Sequence, residues 1–320
     1  GSTVVPVRES AFDTVLGHSR GLQQVIQLAR KVAVTDVPVL LTGETGTGKE
    51  VFAQAIHNGS ARAKQPFVAI NCSAFSKELL ESEIFGHKAG AFTGALKDKK
   101  GLFEEANHGT IFLDEIGEMA YGLQAKLLRV LETGEYIKVG DTKPTKIDVR
   151  IVSATNRNLK EEIANSNFRE DLYFRLSVFH LHLPPLRERR EDIPELAAAF
   201  LKFFAAKMGK QVKGFAADCQ AWMQSYAWPG NVRELRNVIE RALIICDDYI
   251  TLDDMPLDFR SSTLSGSAAD GDDFELAEAE HRHIQRVLQY TKGNKAEAAR
   301  LLKIGLTTLY RKIEEYGINI

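Results

Sequence analysis

The run GETGTGKE, Gly43 to Glu50, leaves few folds open to this chain. It follows the apolar stretch VPVLLTG without a break and leads into a helical stretch, so it reads as strand, glycine turn and helix in succession. In that order the glycines let backbone N–H groups wrap an anion, the helix offers its positive N-terminal end, and Lys49 reaches the outer phosphates of a nucleotide. Gly43, Glu44, Thr45, Gly46, Thr47, Gly48, Lys49 and Glu50 are therefore candidate nucleotide-binding residues. The general pattern ends in Lys-Ser/Thr, whose hydroxyl binds Mg²⁺, and Glu50 stands there instead. A glycine-rich turn without a ligand is the competing reading.

Four further apolar runs, PFVAINC, GTIFLDE, DVRIVSAT and FHLHLPP, alternate with stretches long enough for crossover helices. The pattern predicts an α/β unit, a five-stranded parallel sheet covered by helices, over residues 12–187. EDIPELAAAFLKFFAAKM and NVRELRNVIERALIIC then show a period near 3.6, which predicts a helical subdomain over 188–258. SSTLSGSAADGDD falls in a polar, acidic stretch that reads as a flexible linker, 259–273. The last 47 residues, 274–320, read as a third, all-helical unit, and 1–11, opening Gly-Ser, as a tag scar and the remnant of an N-terminal linker.

With a formal net charge of −2, the 320-residue chain is no polycation, so any nucleic-acid surface is a local patch. Cys72, Cys219 and Cys246 are too scattered for a disulfide framework or a CxxC metal site, which predicts a reducing, cytoplasmic setting. No apolar run reaches the roughly 18 residues of a membrane span, so no membrane partner is expected.

The strand ends carry the chemistry. TIFLDE ends in Asp114 and Glu115, and carboxylates at the C-terminal end of a parallel strand face the crevice where such sheets bind ligands. Asp114 suits Mg²⁺ held through water, and Glu115 suits polarising an attacking water. Asn156, in SATN, would position that water or sense the γ-phosphate. Asn71, ending PFVAIN, would hold Glu115 back when no productive nucleotide is bound. A helix or loop cap is the alternative for either asparagine.

In FREDLYFRL, Arg169 and Arg175 lie six residues apart, which on a helix points them about 120° from each other. Either one faces an adjacent subunit, where an arginine stabilises phosphoryl transfer, or both make surface ion pairs with Glu170 and Asp171. In WPGNVREL, Asn231 reads as an N-cap with Glu234 as its capping-box partner. Arg233 then sits where the helix dipole disfavours a cation, which points to an anion nearby.

GAFTGA, Gly90 to Ala95, lies between the second and third strands, and its composition suits neither a strand nor a stable helix. Its glycines give freedom to swing, and Phe92 offers an apolar surface to a partner or tucks into its own core. In the last unit Asn294 reads as an N-cap with Glu297 in the capping-box position, and LTTLYRKIEEYG follows a short KIG turn. Ala298, Leu301, Ile304, Leu309 and Ile313 form the expected apolar face, with Thr307, Thr308, Arg311 and Lys312 opposite. That fits a helix-turn-helix, with a helical hairpin for protein contacts as the alternative.

GETGTGKE, GAFTGA, GTIFLDE, SATN, FREDLYFRL, LPPLRER and WPGNVREL, in this order, resemble the AAA+ domain of NtrC-type bacterial enhancer-binding proteins over residues 12–258. These activate transcription by RNA polymerase carrying sigma-54, and the family has Lys-Glu where other P-loops have Lys-Ser/Thr. The resemblance implies an ATPase using ATP and Mg²⁺. Lys49 would bind phosphate, Asp114 and Glu115 form the Walker B pair, Asn71 act as the glutamate switch and Asn156 as sensor I. Arg169 and Arg175 would be candidate arginine fingers, Arg233 sensor II, and Val15, Leu16 and Gly17, in VLGHS, the adenine side. Gly90, Ala91, Phe92, Thr93, Gly94 and Ala95 would contact sigma-54.

The resemblance further implies a ring, usually hexameric, a dimer when inactive, and a two-component input. The C-terminal segment resembles the Fis-type DNA-binding domain, which implies a dyad-symmetric upstream site. There Leu306 stands where a polar or basic residue is common, and is expected to pack inward. The rival reading is a DNA-binding repressor or co-regulator whose nucleotide site controls assembly only; a generic AAA+ unfoldase or helicase would explain neither GAFTGA nor the helix-turn-helix.

Overall fold

The computed structural model describes residues 9–256 and 276–318, which form two compact units. The expected linker 259–273 and most of the expected N-terminal remnant lie outside the described residues.

The first unit is built on a parallel sheet of β1 (Val39–Thr42), β2 (Phe67–Asn71), β5 (Thr110–Asp114), β8 (Arg150–Thr155) and β9 (Phe179–His182), in the spatial order β2-β5-β8-β1-β9. These are the five expected apolar runs. Every residue of β8 is buried, as a central strand requires, whereas β9 at the edge alternates. Period-two alternation sorts the side chains into two cores. Val39, Leu41, Phe112, Val152 and Leu181 pack against α1 (Arg20–Ala33) and α2 (Lys49–Asn58). Leu40, Ile70, Ile111, Leu113 and Ile151 pack on the other face against α3 (Lys77–Phe85), α4 (Leu102–Glu105), α5 (Tyr121–Thr133), α6 (Leu159–Ala164) and α7 (Glu170–Leu176).

The strand order has a functional consequence. The chain leaves β1, crosses to the far edge at β2, returns through β5 and β8, and passes over β1 to β9. The C-terminal ends of the strands therefore form one rim, with Asn71 level with Asp114 and Thr42 level with Thr155.

Two hairpins rise from this unit. One has a stem of β3 (Gly86–His87) and β4 (Lys99–Lys100); the other pairs β6 (Glu135–Ile137) with β7 (Pro144–Lys146). The helical subdomain contains α8 (Ile193–Met208), α9 (Ala217–Ser225) and α10 (Asn231–Ile245) around Trp222, Trp228, Phe204 and Leu235. The helical pattern gave no hint of its two-residue parallel ribbon, Gly214–Phe215 with Tyr249–Ile250.

In the second unit, helices Leu276–Tyr290, Lys295–Leu302 and Leu306–Glu315 close around Ile284, Leu288, Ala298 and Leu309. Asn294 caps the second helix by accepting from Glu297 N at 3.2 Å. The Glu297 carboxylate pairs with Arg300 one turn on, so the reciprocal half of the expected capping box is taken by a stronger charged partner. The expected apolar face is also corrected by one residue. Leu302 packs inward and Leu301 is 45 % exposed, because the second helix meets the core through Ala298 and Ala299 and the chain turns at Lys303 in a left-handed conformation. No helix among the described residues is long and apolar enough to cross a membrane.

Candidate functional site

Gly48 takes a left-handed conformation, φ +97°, as it hands the chain from β1 into α2. That turn folds the Lys49 side chain back over the loop, where Nζ donates to Gly43 O at 2.8 Å and Glu44 O at 2.9 Å. Burial pushes the ammonium down from its ordinary range, while Glu115 and Asp114 push it back up. Beside it Asp114 ends β5 and Glu115 follows. Glu115 N donates to Asp114 Oδ1 at 2.9 Å, and Glu115 sits in the left-handed region, φ +53°, which directs the chain away after the strand. Burial and the neighbouring Asp114 raise the Glu115 carboxyl above the usual glutamate range, the property wanted of a base poised to take a proton. Thr45, Gly46, Gly48, Lys49, Glu50, Asp114, Glu115 and Arg233 line one cavity of about 370 Å³.

The helical subdomain closes over this loop at Gly46. A Cβ there would stand 2.2 Å from Gly230 O, and Arg233 N donates to Gly46 O at 3.2 Å. Asn231 is not the cap it was expected to be. It is fully buried at φ +54°; its Nδ2 donates to Glu44 Oε2 at 3.2 Å and Thr45 O at 3.1 Å, and its Oδ1 accepts from Leu186 N at 2.8 Å. The side chain is held by partners in other segments rather than turned onto its own helix, and Glu234 accepts from Gly230 N instead. Arg187 completes the clasp by donating to Glu44 Oε2 at 2.7 Å.

A second clasp holds the segment Val15–Ser19. Asp192 Oδ1 accepts from His18 N at 2.7 Å and Ser19 N at 2.8 Å, while Arg189 bridges from Asp192 Oδ2 to Leu16 O. Gly17 has φ +136°, and a Cβ would meet Arg189, Leu22 and Asp192 within 2.7 Å. Val15 packs on the sheet side and Leu16 on the helical subdomain.

Asn156 Nδ2 reaches the phosphate loop, donating to Thr45 Oγ1 at 3.0 Å. The Asn71 oxygen accepts from Ser73 N at 2.9 Å and Ser73 Oγ at 2.6 Å, so in this state it serves the loop after β2 rather than Glu115. Thr47 Oγ1 turns inward to Glu44 O. Arg169 and Arg175 are not brought to this cavity. Arg169 precedes α7 in extended backbone, so the helical 120° does not describe the pair; it forms a two-bond ion pair with Asp171, and Arg175 is exposed.

Sequence reasoning missed Arg187, Arg189, Asp192 and the bridging role of Asn231. A signal existed in LPPLRERRED, where six consecutive charged residues fall in a stretch that must cross from sheet to helical subdomain. Also missed were His180 and His182, both within hydrogen-bond distance of Thr42 Oγ1, at 2.6 and 3.0 Å, at an opening flanking the same loop.

The Gly90–Ala95 run forms the tip of the first hairpin. Gly90 N donates to Ala95 O at 2.7 Å and Ala95 N to Phe92 O at 3.1 Å, with Gly90 at φ +81° and Gly94 at φ +97°. Phe92 rests its ring edge on His87, centroids 4.9 Å apart, and remains 44 % exposed. Thr93 is exposed. The tip leans on the second hairpin: Lys88 N donates to Val139 O, Val139 N to Gly86 O, and a Cβ on Gly140 would lie 2.6 Å from that of Ala91.

In the second unit Thr307 and Arg311 are exposed and Thr308 is half-buried. Lys312 is not a free cation; its Nζ donates to Glu280 Oε2 at 2.7 Å, as does the Tyr316 hydroxyl. Leu306 is 43 % exposed, contrary to the inward packing expected, because Leu309 and Ile313 already fill the inner side of its helix.

Comparison with known proteins identifies the family of both units. The family model of the sigma-54 interaction domain matches residues 15–182, that of an AAA+ ATPase lid domain 187–271, and that of the Fis family of bacterial regulatory proteins 275–316. The chain is 47 % identical over 307 residues to the alginate biosynthesis transcriptional regulatory protein AlgB of Pseudomonas aeruginosa, spanning 96 % of this chain and 68 % of that protein. It is 41 % identical over 330 residues to the DNA-binding transcriptional regulator NtrC of Escherichia coli K12, spanning 95 % of this chain and 70 % of that one. The crystal structure of NtrX from Brucella abortus in complex with ATP superposes with a TM-score of 0.73 at 36 % identity, covering 95 % of this chain and 70 % of that one.

Proposed function

Because this chain belongs to the sigma-54 interaction family and is a sigma-54-dependent transcriptional activator, we propose that its crevice hydrolyses ATP and that the cycle works the Gly90–Ala95 tip against the polymerase holoenzyme. The observation that carries this reading is the single cavity on which Lys49, Asp114, Glu115 and Arg233 converge. Lys49 and the loop N–H groups hold the phosphates, Glu115 takes the proton of the attacking water, and Arg233 brings the helical subdomain onto the nucleotide.

Asn156 senses the γ-phosphate through Thr45, and Asn71 exchanges Ser73 for Glu115 when the nucleotide state changes. Val15, Leu16 and Gly17 line the adenine side. The donor set suits Mg²⁺: the Asp114 carboxylate offers hard oxygens at the cavity and would hold the ion, while Glu50 supplies no hydroxyl. When bound, the ion would neutralise phosphate charge. Arg169 and Arg175 lie off the chain's own cavity, which suits an arginine offered to a neighbour in a ring, a hexamer in this reading, assembled from inactive dimers under two-component control. The second unit binds a dyad-symmetric upstream DNA site and so holds the ring near its promoter.

Two variants test the proposal together. Glu115→Gln is expected to bind ATP and lose hydrolysis, by about 10²- to 10⁴-fold. Thr93→Ala is expected to keep its ATPase and lose open-complex formation in a sigma-54 transcription assay. Normal hydrolysis by the first removes Glu115 from its role; equal loss of both activities in the second removes the division of labour. If the nucleotide controlled assembly alone, Glu115→Gln would assemble and act normally.

A further inference from the structure

Helix Leu306–Glu315 commits one side to its own fold. Leu309 is fully buried, Ile313 packs beside it, and Lys312 is held by Glu280. At 100° per residue the remaining arc carries, in angular order, Leu306, Tyr310, Glu314, Thr307, Arg311 and Glu315, all exposed. Glu314 and Glu315 repel phosphate at the C-terminal end. The first turn and a half, with Leu306, Thr307, Tyr310 and Arg311, is left to approach a duplex.

Two of those four are large and apolar. Tyr310 has a partner within the unit, since Lys295 Nζ lies 5.2 Å from its ring centroid. Leu306 stands at the first helical residue, directly after Gly305, which offers no side-chain cap, and it is 43 % exposed. A half-open leucine at the leading end of a groove-reading helix is not among the residues that close the core, and it cannot hydrogen-bond a base or a phosphate. On base-pair edges in the major groove the one apolar group is the thymine C5-methyl.

We propose that Leu306 reads thymine methyl groups in each half-site, while Arg311, just over a turn on, supplies the charged contact to guanine or phosphate. The proposal rests on the DNA-binding reading of this unit and gives it a sequence preference. A lysine or arginine at position 306 would reward guanine; the leucine rewards thymine by burying methyl surface and disfavours G·C pairs, whose polar edges it leaves unsatisfied.

The test selects preferred duplexes from a random pool with the full chain, then replaces each thymine of the selected site by deoxyuridine, which removes only the methyl. At one or two positions per half-site the unaltered protein should lose about threefold to fourfold in affinity per methyl. Leu306→Ala should bind thymine and deoxyuridine sites equally. Leu306→Arg, also at an exposed position, should select guanine where thymine stood. Indifference to deoxyuridine at every position, or the same sensitivity in Leu306→Ala, overturns the proposal and leaves DNA binding intact. Failure to select any sequence overturns the DNA-binding reading and the proposal with it.

Discussion

The nucleotide loop and the Gly90–Ala95 tip both turn on glycines of positive φ, but the glycines answer different needs. At Gly46 the need is space: the backbone of Gly230 lies where a side chain would begin. At Gly90 and Gly94 a Cβ would meet nothing within 4 Å, so the need there is only the handedness of the backbone. The loop is therefore locked from outside by the helical subdomain. The tip is shaped by its own short bonds, and its close approach at Gly140 against Ala91 comes from the second hairpin. A rigid chemical centre and an adjustable contact surface have been made from the same residue type by what surrounds it.

The largest effect should come from violating the space requirement. Gly46→Ala combines a backbone clash with an unfavourable φ of +82°. It should cost on the order of 3 kcal/mol of stability and abolish nucleotide binding, read by denaturant unfolding and by titration with a fluorescent ATP analogue. Asn231→Ala should follow, because it orphans the buried Leu186 N and leaves Glu44 with Arg187 as its side-chain partner. About 1–3 kcal/mol of stability is expected to go, and nucleotide affinity with it, visible as a lower Tm that ATP rescues only in part.

Gly140→Ala attacks the tip from the other hairpin. Strain of about 1–2 kcal/mol at φ +78° should weaken polymerase engagement roughly tenfold while ATPase stays within about twofold. An equal fall in ATPase would erase the contrast between the two regions.

The smallest effect is electrostatic. The Glu115 carboxyl is raised, so on acidification it is lost as a base at higher pH than an ordinary glutamate. In linkage terms its charged form disfavours the fold above the folded-state pKa, and that penalty vanishes below the unfolded one. Glu118→Gln removes a charge that raises Glu115 and releases Arg157, which lowers it, so the acid limb of the ATPase profile should move to lower pH. A limb that stays put would mean another group controls it.

Much of the centre was legible because its chemistry is written in short spacings. A strand, three glycines and a lysine predict a phosphate loop, and an apolar strand ending in two carboxylates predicts their place on the rim. Asn231 shows where that legibility stops. Its sequence neighbourhood offers an N-cap, and its actual partners lie 186 and 187 residues away in Thr45 and Glu44. Leu301 and Leu306 fail for a related reason: helical period gives a face, but not which edge of it meets the core.

The sequence by itself determined the five strands, the phosphate loop, the carboxylate pair and the three C-terminal helices, since each depends on backbone preferences and apolar periodicity within a few residues. Tertiary structure alone decided the strand order that aligns Asn71 with Asp114, the docking of Gly230 on Gly46, the partners of Asn231, Asp192 and Lys312, and the exposure of Leu306. Those outcomes rest on contacts between distant segments, where packing and the satisfaction of buried polar groups select one partner among many that local pattern would allow.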